Sequence, residues 1–200
     1  PVIFVVNHFT RAETLLLPYY IDKLTQRTIW SLADHNLFKG GLGAFLEKVG
    51  ALSNAAPDRD QLIVRSLLTN EAAWIIFPEG RMVKNKKIYD VVNEKGRFVI
   101  STSAGKHPPH TGAATLALRT EFYRERLKKM AEIYPDEAAR LLERFGIADI
   151  AAVVDTSTCL VPVNITYYPI RARENALSSF TRGLFENLSA KAIEEIQAES

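Results

Sequence analysis

The sequence holds one cysteine, Cys159, which excludes an internal disulfide framework and fits a reducing compartment. A lone thiol of this kind is expected to be a buried structural side chain. No apolar stretch approaches the ~20 residues needed to span a bilayer, and no segment resembles a signal peptide, so this piece is expected to be soluble or surface-bound. Charge of one sign is also missing. The formal net charge is +2, and no basic stretch is interleaved with aromatics, so nucleic acid is not expected as a partner. There is no Gly-x-Ser-x-Gly nucleophile elbow, which counts against a serine hydrolase of the α/β type. No internal repeat or low-complexity tract is present.

What remains is an ordinary globular composition. With 200 residues, 47% of them hydrophobic, the chain can bury a core of normal domain size, and a single domain over 1–200 is expected. It begins without Met, directly in an apolar run, and ends in a predicted helix over Ala176–Ala198. The expectation is therefore a domain excised from a longer chain.

Short runs rich in β-branched and aromatic residues, Val2–Val6 and Ala73–Phe77, read as buried strands, and Gly96–Ile100 as a further one. Helical spacing is predicted over Glu13–Leu24, interrupted or started near Pro18, and over Pro57–Asn70. Leu116, Thr120, Tyr123, Leu127, Met130 and Tyr134 recur at threes and fours, which predicts a helix ended by Pro135. A second helix follows over Asp136–Phe145 with Gly146 as its stop. Between Ser101 and Thr111 a turn-rich loop is expected. Alternating strands and helices predict an α/β class with a mostly parallel or mixed central sheet and helices on both faces.

Two polar clusters stand at strand ends. The first run closes in Asn7-His8 and reaches Glu13 after four residues; the second closes in Phe77-Pro78-Glu79-Gly80. In an open α/β sheet ligands bind beyond the carboxyl ends of the strands, so both clusters can converge on one ligand.

These motifs, followed by Arg81 and later by Leu160-Val161-Pro162-Val163, resemble the glycerolipid acyltransferases of the lysophosphatidate and glycerol-3-phosphate type. That family has Asn-His, four residues and Asp, then Phe-Pro-Glu-Gly-Thr-Arg-Ser, then an apolar run around Val-Pro-Val. The segment Leu37–Leu52 is similar to its second motif region, and His110–Ala117 to its glycine-alanine helix start. Glu13 stands here for the usual Asp, and the threonine after Gly80 is missing, so Arg81 comes one position early. The resemblance spans Pro1 to about Pro169, and a helical insertion over 119–147 is expected within it.

The resemblance implies transfer of a fatty acyl group from acyl-CoA or acyl-carrier protein to a hydroxyl of a glycerolipid precursor, in phospholipid biosynthesis. It implies no other cofactor. Location at a membrane surface is expected, on the cytoplasmic face of the inner membrane. His8 is expected to be the general base and Glu13 its orienting carboxylate. Neutral histidine, with an ordinary pKa of about 6.5, suits removal of a hydroxyl proton near neutral pH. Glu79, Gly80 and Arg81 would form the acceptor-binding loop, with backbone near Gly80 a candidate donor to the oxyanion. Arg81, with Lys84, Lys86 and Lys87 behind it, would supply an electropositive rim. The glycines Gly40-Gly41-Leu42-Gly43 read as a turn or acceptor-site loop rather than a nucleotide cradle, having no Gly-Lys-Ser/Thr sequel.

Two other readings stay open. The four histidines, His8, His35, His107 and His110, allow a metal-assisted hydrolase, although a loop pair needs a third ligand and an open position. A catalytically lapsed domain that binds lipid or a partner is the other.

Overall fold

The computed structural model describes residues 1–8, 10, 12–38, 40–80, 89–92, 97–102, 105–147 and 149–166. The chain divides into two compact units, Pro1–Asn164 and Ile165–Ser200. The first contains every element described below. The predicted helix over Ala176–Ala198, together with Arg81, Lys84, Lys86 and Lys87, lies outside the described residues.

Strand β1 (Val2–Val6) leads into helix α1 (Ala12–Thr25), strand β2 (Ile29–Ala33), a 3-10 turn (His35–Phe38) and helix α2 (Gly40–Lys48). Strand β3 (Ala51–Ser53), helix α3 (Arg59–Leu68) and strand β4 (Ala73–Ile76) follow. A three-stranded antiparallel sheet comes next, β5 (Tyr89–Val92), β6 (Arg97–Thr102) and β7 (Gly105–His107). Helices α4 (Gly112–Ile133), α5 (Pro135–Arg144) and α6 (Ala151–Val154) then return the chain to β8 (Cys159–Val163).

The main sheet has five parallel strands in the order β3-β2-β4-β1-β8. Connections β1 to β2 and β2 to β3 run toward one edge, whereas β3 to β4 and β4 to β8 run toward the other. Right-handed crossovers therefore carry α1 and α2 over one face and α3 and α4 over the opposite face. In agreement, α3 and α4 pack against each other while α1 lies against β2.

Strand β4 sits third in the order, and all four of its residues are buried, as a parallel strand covered on both faces requires. On the α3/α4 side, Trp74 and Ile76 join Ile3, Ile63, Leu67 and Leu116 in one apolar cluster. The Trp74 indole donates to Ser66 Oγ at 2.8 Å, and that hydroxyl donates in turn to the Ile63 carbonyl at 2.9 Å. The indole is thus fully buried without an orphaned donor.

Several local expectations are revised. Residues 40–43 are not a loop: Gly40–Lys48 is helical, and a Cβ on Gly43 would come within 2.6 Å of the Phe38 carbonyl oxygen. At that position glycine serves close packing of the 3-10 turn against α2. The region 101–111 is less irregular than expected, because β6 continues to Thr102 and β7 pairs back onto it. Helix α1 runs through Pro18 without a break. Cys159 is exposed rather than buried. It lies on β8, an edge of the five-stranded sheet, where Pro162 is also tolerated.

Helix α4 is continuous, and its first turns belong to the core through Ala113, Leu116 and Ala117. Farther along, the buried Arg124 guanidinium donates to the Val153 carbonyl and to Thr156 Oγ1, and pairs with Glu121. Glu121 also accepts the Thr158 amide at 2.9 Å. These bonds tie the segment entering β8 to α4.

Replacing Ser66 by Ala would leave the Trp74 N–H buried without an acceptor. A loss of about 1–3 kcal/mol in unfolding free energy is expected by denaturant titration. An unchanged midpoint would show that water or another group replaces the hydroxyl.

Candidate active site

The loop after β1 carries Asn7 and His8, and α1 begins four residues beyond, at Ala12. Glu13 stands in the first turn of α1, where a carboxylate is favoured by the exposed amides of a helix start. One oxygen, Oε1, reaches back to accept the Thr10 amide at 3.2 Å, in the manner of a capping box. The other, Oε2, lies 2.9 Å from His8 Nδ1. Glu13 is only 2% exposed. A carboxylate oxygen accepts, so Nδ1 carries the hydrogen, and in the neutral ring Nε2 then keeps its lone pair.

The second cluster reaches the same place because β1 and β4 are neighbours, with Val5 opposite Ile76. Phe77, immediately after β4, packs its ring on the His8 imidazole with centroids 4.4 Å apart. The chain then turns, the Gly80 amide donating to the Phe77 carbonyl at 3.1 Å. Gly80 has φ of +67°, a left-handed conformation that glycine adopts without the Cβ penalty. The turn itself thus engages the Gly80 amide.

Glu79 is buried at 2% exposure. Burial pushes its carboxyl above the ordinary carboxylate range. Its own amide, the His8 charge and the His8 amide oppose that rise, and the Glu13 charge adds to it. Its Oε2 has no hydrogen-bond partner among the described residues. His8 is thus associated with two buried carboxyl groups, one hydrogen-bonded to its ring and one beside its backbone.

His110, a candidate metal ligand and the first residue of the glycine-alanine helix start, also belongs here. The His110 amide donates to the Pro78 carbonyl at 3.0 Å, and its imidazole fills the space beside Gly80. The signal in the sequence was its place directly before the glycine-alanine helix start. His35 is elsewhere, paired with Asp34 at 3.4 Å. No three His, Cys, Asp or Glu side chains are grouped to hold a metal among the described residues.

The remaining motif residues are placed as follows. Val161, Pro162 and Val163 form part of β8 beside β1, with Val5 opposite Pro162 and Val6 opposite Val163. Arg59, a basic side chain near the second motif region, is engaged with Asp60 and the Asn54 carbonyl. Arg81 lies outside the described residues, so of the expected acceptor loop the structure brings Glu79 to His8 and Glu13, with Gly80 next in the turn. No described helix is long and apolar enough to cross a membrane.

A family model described as Acyltransferase matches residues 1–135, a span that includes both strand-end motifs and His110. No curated protein and no solved structure matches the chain.

The raised Glu79 carboxyl makes stability depend on pH with a defined sign. A folded value above the unfolded 4.5 means that the native state holds the proton more tightly. Its stabilising contribution is complete below that pH and is lost as pH rises through the folded value. Glu79→Gln should therefore gain stability over wild type above this window and lose that advantage below about pH 4. Denaturant titrations across the range check this; a difference that does not vary with pH would contradict it.

Proposed function

Since the chain belongs to the acyltransferase family and is an O-acyltransferase, we propose that it moves a fatty acyl group from acyl-CoA or acyl-carrier protein to a hydroxyl of a glycerolipid precursor such as lysophosphatidate or glycerol-3-phosphate. The observation that carries this reading is the hydrogen bond from His8 to the buried Glu13 at the end of β1.

In the proposed step, His8 Nε2 removes the hydroxyl proton as the acceptor oxygen attacks the thioester carbonyl carbon. The C–O bond forms, the carbonyl electrons move to oxygen, and their return breaks the C–S bond. The departing thiolate takes the proton back from the imidazolium. Glu13 stabilises that imidazolium and fixes the ring by its bond to Nδ1. No covalent acyl-enzyme is needed. Proton transfer of this kind contributes about 10²–10⁴-fold, and positioning supplies much of the rest.

Glu79 fits the acceptor side. Its unpartnered Oε2 suits a hydroxyl of the incoming acceptor, a bond that would offset part of the cost of its burial. Gly80 sets the turn that presents Glu79. Arg81, next in the chain, is assigned the acceptor phosphate, which a guanidinium can hold by two parallel hydrogen bonds.

A membrane surface is the proposed setting. Helix α1, which begins beside the dyad, exposes Leu16, Tyr19, Tyr20 and Leu24 at 53%, 57%, 54% and 82%. Their spacing places them on one side of the helix with Lys23, whose ammonium lies 5.9 Å from the Tyr19 ring centroid. Tyrosine and lysine around an apolar strip suit a headgroup boundary, and the strip would bring His8 to the level of lipid substrates.

His8→Ala should lower turnover by about 10²–10⁴-fold while thermal unfolding stays near wild type. Glu13→Gln should fall strongly and Glu13→Asp less, because the latter retains the charge. Retained turnover in His8→Ala, or Gln and Asp variants alike and near wild type, would refute the dyad. The companion prediction concerns α1: Leu16→Ser with Tyr20→Ser should reduce co-sedimentation with vesicles containing anionic phospholipid. Unchanged sedimentation would remove α1 as the lipid-facing surface.

A further inference from the structure

His110 is attached to the acceptor turn twice, and it stands on a rigid support. Its amide donates to the Pro78 carbonyl at 3.0 Å. Its ring occupies the volume beside Gly80, where a Cβ would come within 2.8 Å of Nε2 and 2.9 Å of Cδ2. Two residues later α4 begins, and its first turns are set into the core by Ala113, Leu116 and Ala117. His110 therefore stands two residues before the start of a packed helix.

The residue between the two points of attachment is Glu79. Pro78 is held through its carbonyl and Gly80 through packing of the ring. The left-handed φ of Gly80 sets how the chain turns between them. Glu79, whose carboxyl feels both the amide and the charge of His8, has its position determined by that turn.

We infer that His110 is a positioning residue of the transfer site, clamping the Pro78–Gly80 turn to the start of α4 so that the Glu79 carboxyl is held beside His8. The inference rests on the reading of His8 and Glu79 as the transfer site. It explains why position 80 is glycine from two sides at once: the backbone is left-handed, and the imidazole fills the place of a side chain. His110 acts here through Glu79, and its ring contributes shape.

The test uses the full chain, acyl-CoA as donor, and lysophosphatidate or glycerol-3-phosphate as acceptor, with thermal unfolding recorded for every variant. His110→Ala should lower kcat/KM for the acceptor by about ten- to a hundred-fold, the scale expected when a reacting group is misplaced by about 1 Å. The donor KM and the unfolding temperature should stay near wild type. His110→Phe, which keeps a flat ring over Gly80 and the backbone amide, should recover most of the loss. Gly80→Ala should be impaired, and His110→Ala added to it should cost less than the product of the two single effects, because both act on one contact.

Wild-type acceptor kinetics in His110→Ala would overturn the inference. So would His110→Phe behaving like His110→Ala, which would mean that the imidazole nitrogens are what the site uses. Independent, multiplying effects at positions 80 and 110 would contradict the shared contact. The outcome is separable from that of the underlying reading. Turnover surviving His8→Ala refutes the transfer site, whereas turnover lost in His8→Ala but wild-type in His110→Ala refutes only the clamp.

Discussion

Because β1 and β4 run parallel, with Val5 opposite Ile76, the residues following each strand emerge at the same end of the sheet and side by side. Everything in the site depends on that pairing. It brings Phe77 onto the His8 ring and allows the buried Glu79 carboxyl to act on His8, across about seventy residues of intervening sequence. The pairing is itself secured by side chains that point to the α3/α4 face, Ile3 and Trp74 being register partners in the apolar cluster. The sequence separation of the motifs is thus a consequence of topology. The chain leaves β1 toward one edge, returns through α3 to β4, and crosses over to β8 on the far side of β1.

Electrostatics then divides the two carboxyl groups near His8. Glu13 has a helix start, the Thr10 amide and the His8 imidazole around it, with both carboxyl oxygens hydrogen-bonded. Glu79 has burial as its main influence and one oxygen with no partner among the described residues. Two acidic side chains of the same kind therefore stand in different environments beside one histidine, which fits the different tasks proposed for them, orienting the base and meeting the acceptor. A buried polar atom left unpaired costs free energy, which a hydroxyl of the proposed acceptor would offset at Glu79 Oε2.

Much of this was legible in the sequence, and the reasons for the rest are physical. Strands β1 and β4 could be read because buried parallel strands are short apolar runs, and the His8-to-Glu13 spacing because it bridges a strand end and the first helical turn. Pro135 at the start of α5 and Gly146 after its end, with φ of +66°, did what those residues do at helix boundaries. Strands β2 and β3 were not foreseen. They are short, and Trp30, Leu32 and Leu52 are partly buried residues whose role emerges only from packing on the core. Helix α2 was hidden by its glycines, which lower helix propensity; Gly43 is explained by a close approach to Phe38 that no local pattern announces. Exposure of Cys159 follows from the edge position of β8, a fact of strand order. His110 was visible as a motif residue, but its contact with Gly80 arises from the return of the chain to the sheet end.

The central claim is that His8 removes the acceptor proton while the acyl group passes directly from thioester to hydroxyl. Intact-protein mass measurement tests this most directly, on the chain incubated with a long-chain acyl-CoA, first without acceptor and then during turnover with a lysophospholipid acceptor. The account predicts product formation with the protein mass unchanged throughout. A protein population heavier by one acyl chain, formed from the donor alone and discharged into product when acceptor is added, would contradict it and make the enzyme itself the first acceptor.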